Sequence, residues 1–411
     1  MKRVYILALL LIAVLLIAIA ASLANRTQST SNGQANPVYV GVAFGGNNTE
    51  QAKLLIDRVK SYTNLFILAI GLNPITANES AVREICDYAT SNGLNIITSL
   101  GTYTNQSDLQ WKMQFYSEAK KRYGDKFLGA YYDDDIGGVF LDWNWYQQFH
   151  SNETMQWSSP PIQDVTLKPL YDQIRAEYLA GNQPQNYSIE AQLFEKFRQT
   201  NVGFVPLKNA GIHTFTTDYA LYWFDYLGGY DTMFVQLGYN NSVNQELALI
   251  RGAATMQNKD WGAIITWKYM QPPYLASEQE VYNQMMSAYN AGAKYITIFD
   301  FPYNTINPYG SLTNDHFLAL KTFWTKIQSQ PPTSPHAQAA LVLPKDYGWG
   351  MRSSSDKIWG YWGPDDKSPQ IWNISRQLLN KYGLALDIIY DDPAFPIEAN
   401  YTRVYYWNQT L

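Results

Sequence analysis

Residues 127–135 read Phe127-Leu128-Gly129-Ala130-Tyr131-Tyr132-Asp133-Asp134-Asp135. The first six residues form a short apolar and aromatic run that is typical of a buried β-strand. Three consecutive aspartates close the run, so acidic side chains stand at the carboxyl end of the predicted strand. The same unit, a buried strand followed by a helix, repeats on both sides of this stretch.

Eight strand-plus-helix units are predicted between residues 37 and 330. The predicted strands cover 38–44, 65–70, 95–100, 127–132, 213–218, 232–237, 262–268 and 295–300. That number of units in that length predicts an α/β fold of the (β/α)8 TIM-type barrel class. An open doubly wound sheet is the alternative, but such a sheet usually has a glycine-rich phosphate turn after its first strand, and none is evident here.

Three further segments complete the predicted domain organisation. An irregular insertion from about Ile136 to Asn186 interrupts the barrel pattern, and a stretch of that kind inside a compact domain is usually a lid or a binding loop. Residues 331–338 are rich in proline and serve as a linker. Residues 339–411 then predict a small α/β domain, which needs the barrel to cover one of its faces because it is too small to bury a core alone.

The N-terminus predicts export to the cell surface. Lys2 and Arg3 precede an apolar run in residues 4–23, and about 20 such residues can span a bilayer. Residues 1–24 are therefore a transmembrane signal anchor or a cleaved signal peptide, and 25–36 a polar tether. Positive charge before the run places residues 25–411 outside the cell, where Asn-x-Ser/Thr sequons spread along the chain favour a glycoprotein.

Composition excludes some partners and favours another. Charged residues are only 16% and the net charge is −5, which argues against a nucleic-acid partner. Aromatic residues are 15%, which indicates either generous packing or a cleft that stacks sugar rings. The lone cysteine, Cys86, is expected to be buried, and the four histidines are scattered without metal-ligand spacing. We therefore expect no metal and no cofactor.

Acidic residues at predicted strand ends are the candidate catalytic groups, because active sites of such barrels lie at the carboxyl ends of the strands. These residues are Asp133, Asp134, Asp135, Asp218 and Asp300. Cleavage of a glycosidic bond needs two carboxyl groups, and mutual repulsion within the aspartate triplet would raise the pKa of at least one of them. The alternation of a strand points Asp300 outward together with Ile296 and Ile298. A solvated turn or a bound Ca²⁺ ion is the alternative role for the triplet.

Aromatic and polar residues near the same strand ends are the candidate substrate contacts. They are Tyr103, Tyr132, Gln236, Trp267, Lys268 and Trp349. A buried glutamine needs hydrogen-bond partners, which favours a place at the site for Gln236. Lys268 either holds a carboxylate or is simply solvated. Trp349 belongs to an aromatic and glycine-rich loop that either covers the barrel mouth or packs as a seam between domains.

This layout resembles the glycoside hydrolases, and above all the β-galactosidase-type families in which a barrel precedes a flavodoxin-like domain. The resemblance rests on residues 129–135 at the fourth strand, on Trp267 at the seventh and on the chain from Ala339 onward. It implies a carbohydrate substrate and an extracellular, membrane-tethered glycoside hydrolase-like enzyme. Those families use glutamates at the ends of strands four and seven, whereas this chain has aspartates at the first position and Trp267-Lys268 at the second. A non-catalytic glycan-binding protein or surface-layer protein is the alternative.

Overall fold

The computed structural model describes residues 38–70, 74–101, 105–143, 180, 186–201, 203–238, 242–269, 271–300, 307–308, 310–397 and 400–410. The N-terminal apolar segment, the polar tether, Tyr103 and most of the predicted insertion lie outside these residues. Residues 39–411 form one compact unit. None of the helices among the described residues is both long and apolar enough to cross a bilayer.

Eight parallel strands pair in sequence order, and the last pairs with the first, so the sheet is closed. The strands are β1 (Tyr39–Phe44), β2 (Leu65–Leu68), β3 (Asn95–Ser99), β4 (Phe127–Tyr131), β5 (Thr214–Asp218), β6 (Thr232–Leu237), β7 (Asp260–Ile265) and β8 (Tyr295–Asp300). This closure confirms the predicted (β/α)8 barrel and excludes the open sheet.

Eleven α-helices are present in the described part of the chain. They are α1 (Thr49–Val59), α2 (Glu79–Ser91), α3 (Gln106–Tyr123), α4 (Ile136–Trp143), α5 (Tyr187–Thr200), α6 (Phe204–Asn209), α7 (Tyr222–Leu227), α8 (Val243–Gln257), α9 (Glu278–Asn290), α10 (Asn314–Ile327) and α11 (Ser368–Tyr382). The prediction of irregular chain from Ile136 was wrong, because α4 starts there. The N-cap of α1 is Asn48, whose side chain accepts from the backbone N–H of Gln51.

The inward faces of the strands fill the barrel, as their period of two requires. One cluster contains Ala43, Leu65, Ile67, Ile70, Ile97, Tyr131, Phe215, Phe234, Ile264 and Tyr295. Phe215 of β5, Phe234 of β6 and Tyr295 of β8 belong to it, so their neighbours in the strands point outward to the helices. This alternation decides which strand-end side chains reach the mouth. Cys86 is buried on α2, as expected.

A three-stranded parallel sheet follows the barrel. Its strands are β9 (Ala339–Leu343), β10 (Leu386–Tyr390) and β11 (Arg403–Tyr406), in the order β10-β9-β11. Helix α11 connects β9 to β10 and begins at Ser368. Three strands in this order are too few to distinguish a flavodoxin-like sheet from other parallel sheets.

Candidate active site at the barrel mouth

The acidic segment Asp133–Asp135 follows β4 directly and runs beside β5. The backbone N–H of Tyr132 donates to the carbonyl of Phe215 (2.9 Å), and that of Asp135 donates to the carbonyl of Thr217 (3.0 Å). Asp133 and Asp135 have φ angles of 63° and 55°, a left-handed conformation that is uncommon outside glycine. Strained residues of this kind persist only where the surroundings hold them, and they cluster at functional sites. The left-handed turns send the three carboxyl groups in different directions.

Asp133 points to the outer helix layer. Its Oδ2 lies 2.5 Å from Nη1 of Arg198 on α5, and the arginine side chain is only 3% exposed. A guanidinium is always charged, and a buried one needs a counterion. Asp133 therefore serves as the counterion of Arg198.

Asp134 points to the barrel axis, where the hydroxyl of Tyr131 donates to its Oδ1 at 2.5 Å. Tyr131 belongs to the inward-facing cluster, so this bond places the Asp134 carboxyl over the barrel core. Burial raises the pKa of Asp134 to about 7, and the charges of Asp133 and Asp218 add to that rise, while the Tyr131 hydroxyl opposes it. Asp134 is thus poised to exchange a proton near neutral pH.

Asp135 lies next to Asp134 at the mouth, and its Oδ1 accepts a hydrogen bond from the side-chain amide of Gln236. Gln236 shares the inward face of β6 with Phe234 and is buried. Burial raises the pKa of Asp135 well above its ordinary value, and the neighbouring carboxylates, led by Asp134, raise it further. The two adjacent carboxyls repel each other when both are ionised, so the pair retains a proton near neutral pH.

Asp218 lies on the outward face of β5, with Thr214 and Thr216, and it is completely buried. Its carboxylate accepts four backbone N–H bonds, from Gly137 (2.5 Å), Gly138 (2.8 Å), Tyr219 (2.7 Å) and Ala220 (3.1 Å). Burial raises the pKa of Asp218 to about 6 against the lowering effect of these donors. The carboxylate oxygens of Asp218 are therefore occupied by backbone N–H groups. The structure does not place Asp218 at the barrel mouth beside Asp134 and Asp135.

Asp300 also points outward, as the alternation of β8 predicts. It is fully buried, and its Oδ1 accepts from the backbone N–H groups of Ser311 (2.8 Å) and Leu312 (3.2 Å). Burial raises its pKa to about 7. The structure thus binds Asp300 to the backbone of residues 311–312, on the outward face of β8.

The predicted substrate contacts separate into different places. Tyr132 is buried against Phe204, and its hydroxyl donates to Asn201. Lys268 pairs with Glu280 on α9 at 2.8 Å, so it holds a carboxylate outside the triplet. Trp267 is half-buried just after β7.

Trp349 is buried, and its indole N–H donates to the carbonyl of Asp356. In the same loop, Trp359 packs against Phe140, Phe194 and Phe224 of α4, α5 and α7. The aromatic loop is therefore a packing seam between the barrel helices and the small sheet, which was one of the two predicted roles.

Two residues of this site were missed from the sequence. Tyr131 was not assigned a direction, because both faces of the predicted fourth strand are mixed. In the structure the register of β4 also shifts against β3 near Gly129, and a glycine inside a strand is a known sign of such an irregularity. Arg198 lies at the helical spacing of the buried residues Glu190 and Phe194 on α5. That spacing could have indicated that Arg198 is buried and therefore requires an acidic counterion.

No group of three or more metal-ligating side chains is arranged to hold an ion within the described ranges. The fold and the mouth together define a (β/α)8 barrel with two adjacent carboxyl groups, those of Asp134 and Asp135, at the carboxyl end of β4.

Comparison with known proteins agrees with this class at the level of fold. The chain is similar to a crystal structure of a GH5_18 protein from Bifidobacterium longum subsp. infantis, with 8% identity and a TM-score of 0.51 over 91% of this chain and 97% of that chain. A GH5_18 structure from Bifidobacterium longum subsp. longum, in complex with Manb1-4GlcNAc, matches with 10% identity and a TM-score of 0.49 over 90% of this chain and 96% of the other. No protein-family model matches the sequence, and no curated protein is significantly similar to it.

Proposed function

We propose that the protein is a glycoside hydrolase-like enzyme that acts on glycans through Asp134 and Asp135. The observation that carries this proposal is the pair of adjacent carboxyls at the mouth, each bonded to an inward-facing side chain, Tyr131 or Gln236. Both carboxyls have raised pKa values, which suits general acid catalysis near neutral pH. The barrel architecture shared with a GH5_18 structure is consistent with it, although fold alone does not determine activity.

In this proposal Asp135 is the general acid. The amide of Gln236 occupies its Oδ1, which leaves Oδ2 to carry the proton that is transferred to the glycosidic oxygen as the bond to the anomeric carbon breaks. Asp134, bonded to Tyr131, is ionised and stabilises the oxocarbenium-like charge that develops on the sugar. Water then adds to the anomeric carbon, and its proton returns to Asp135. Trp267 at the rim is the proposed stacking surface for the substrate, together with Tyr103, which lies outside the described residues.

The test is hydrolysis of a panel of chromogenic glycosides by residues 37–411. We expect turnover by the parent protein and a loss of about 10²–10⁴-fold in kcat for Asp135→Asn. Asp125→Asn is the matched control, because Asp125 is an exposed aspartate at the opposite end of β4. Equal activity of the Asp135 and Asp125 variants would remove the proposed role of Asp135.

A second candidate function is glycan binding without hydrolysis. The inward positions at the ends of β5–β8 that the structure describes carry Thr217, Gln236, Thr266 and Phe299, and no acid faces Asp134 and Asp135 from them. A binder would retain glycan affinity in the Asp135→Asn variant and would release no product in the parent protein. Binding titration with unlabelled oligosaccharides, run beside the hydrolysis assay, distinguishes the two functions.

We also propose a cell-surface location, with residues 1–24 as the anchor or signal and the remainder outside. The proposal rests on the charged start, the apolar run and the sequons of the sequence. Fractionation of cells that express the full chain tests it: recovery in the membrane or secreted fraction supports the proposal, and recovery in the cytoplasmic fraction contradicts it.

A further inference from the structure

The buried carboxyl of Asp225, on α7, lies behind the proposed acid pair and takes no part in the chemistry described above. Its side chain is completely buried, and neither of its oxygens has a hydrogen-bond donor in the described part of the protein. After burial itself, the charge of the Asp218 carboxyl has the largest effect on the Asp225 carboxyl. Two neighbouring buried carboxylates repel strongly, whereas one proton between them allows a hydrogen bond.

Asp218 is the partner that keeps its charge. It accepts four backbone N–H bonds, and two of them come from Gly137 and Gly138 in the first turn of α4. Donors of this kind favour an ionised acceptor, and so does the positive end of the helix dipole. No backbone donor reaches Asp225 within the described residues, so the shared proton belongs on Asp225 and points to Asp218.

The charges that face Asp225 from neighbouring elements favour the same state. Arg198 of α5 is the facing cation, and its Nη1 is already paired with Asp133. Asp133 and Asp218 supply two carboxylates against that one guanidinium. The remaining ionisable neighbours are Tyr222, Tyr226 and Tyr230, and Tyr222 donates to Glu246 on the adjacent α8. The surplus of negative charge also raises the pKa of Asp225.

Asp218 acts on the acidic segment through the start of α4. Only Ile136 separates Asp135 from Gly137, and the backbone of Asp135 is itself bonded to β5 at Thr217. Displacement of Asp218 would release the first turn of α4 and, with it, the left-handed backbone of Asp135. The geometry therefore links a group buried behind the barrel wall to the carboxyl at the mouth.

We propose that Asp225 holds a proton, donates it in a hydrogen bond to Asp218, and that the two aspartates together are positioning residues for Asp135. This inference rests on the proposed function for its catalytic consequence. Its structural part, the protonated Asp225, can be tested without any substrate.

The test compares Asp225→Asn with Asp225→Ala in the full chain. An asparagine keeps a donor toward Asp218, so we expect its melting temperature at pH 7.5 to stay within about 2 °C of the parent, whereas alanine removes the donor and lowers it by about 3 °C or more. Infrared difference spectra with ¹³C-labelled aspartate should show a protonated-carboxyl band at pH 7.5 that Asp225→Asn loses and the exposed control Asp125→Asn retains. If Asp225→Asn is destabilised as much as Asp225→Ala and the band is unchanged, Asp225 is an ionised partner of Arg198 and the proposal is overturned.

Activity separates positioning from simple stability. Asp218→Asn and Asp225→Ala, assayed well below their melting temperatures, are expected to lower kcat at least tenfold with KM within about twofold of the parent, because they displace the acid without removing substrate contacts. An unchanged kcat in both folded variants would refute the positioning role. A parent protein that hydrolyses nothing would contradict the proposed function alone, since the stability order and the infrared band would still test Asp225.

Discussion

At the scale of single residues, three consecutive aspartates have three different environments. Asp133 neutralises a buried arginine, Asp134 is bonded to a tyrosine of the barrel core, and Asp135 is bonded to the amide of Gln236. The left-handed backbone at Asp133 and Asp135 produces this divergence. We therefore expect the same substitution to have different effects on stability and activity at each of the three aspartates.

Substitution of Asp134 by asparagine should stabilise the protein while it removes activity. The folded-state pKa of Asp134 is raised to about 7, so its stability contribution is present below the unfolded pKa and is lost as pH rises through 7. An asparagine at this position has no charge to desolvate, and we expect Asp134→Asn to raise the melting temperature by roughly 1–3 °C at pH 8 and by less at pH 5. Calorimetry at both pH values checks this.

Asp133→Asn is the contrasting variant. It leaves the guanidinium of Arg198 buried without its counterion, so we expect a loss of about 3 kcal/mol in the free energy of unfolding. A stabilised Asp133→Asn, or a destabilised Asp134→Asn at pH 8, would contradict the different environments inferred for these neighbours.

The pH dependence of hydrolysis follows from the proton on Asp135. Because this acid must be protonated while Asp134 is ionised, kcat/KM should fall about tenfold per pH unit once the pH exceeds the upper apparent pKa of the pair, which burial and mutual repulsion raise. Asp134→Asn removes the neighbouring negative charge, so any residual activity should decline at a lower pH. A rate that instead increases with pH through this range would assign Asp135 the role of a base.

At the scale of elements, α4 decides where the acidic segment ends. The helix begins at Ile136, and its first N–H groups find their acceptor in Asp218 of the neighbouring strand instead of in a local cap. Gly137 and Gly138 allow the close approach, since a Cβ on Gly137 would lie 2.7 Å from the carbonyl oxygen of Ala220. The helix start, the strand end and the mouth carboxyls are thus one unit.

Gly137→Ala should therefore lower both stability and activity. The added methyl would push α4 away from β5 and shift Asp135, so we expect a loss of about 1–3 kcal/mol and a kcat reduced about tenfold or more. Gly363→Ala is the matched control, because a Cβ there meets no atom within 4 Å. Indistinguishable urea unfolding curves for the two variants would argue against close packing at Gly137.

At the scale of the whole molecule, one buried arginine joins the barrel to the small sheet. Arg251 of α8 donates to Asp387 of β10 at 2.7 Å and to the carbonyls of Ala291, Ser334, Leu384 and Leu386. The side chains of Arg251 and Asp387 are 3% and 0% exposed. Together with the aromatic seam around Trp359, this pair predicts that the barrel and the small sheet unfold as one cooperative unit.

The interaction between Arg251 and Asp387 should be strongly non-additive. Arg251→Met leaves a buried carboxylate and should reduce the free energy of unfolding by about 3–5 kcal/mol, whereas the double variant Arg251→Met/Asp387→Leu should regain much of that loss. Urea unfolding of the two single variants and the double variant measures the coupling. Simple additivity of the single effects would show that the pair does not join the two parts.

The barrel, most strand bounds and the outward direction of Asp300 could be predicted from the sequence. These features follow from local sequence, because the pattern of apolar and polar residues indicates strand alternation, helix periodicity and the number of units. The N-terminal export segment and its location stay predictions, because the described residues do not include it.

The site depended on tertiary structure. Asp218 has the same residue type and the same strand-end position as a catalytic acid, and only the neighbouring helix start shows that its oxygens bind backbone N–H groups. The role of Arg198 likewise comes from a partner that is distant in the chain, Asp133. Local sequence determined which way the strands face, because side-chain alternation is a short-range property. The fold decided which carboxyl groups keep a proton, because the desolvation and the charges that raise a pKa depend on what long-range packing places around each group.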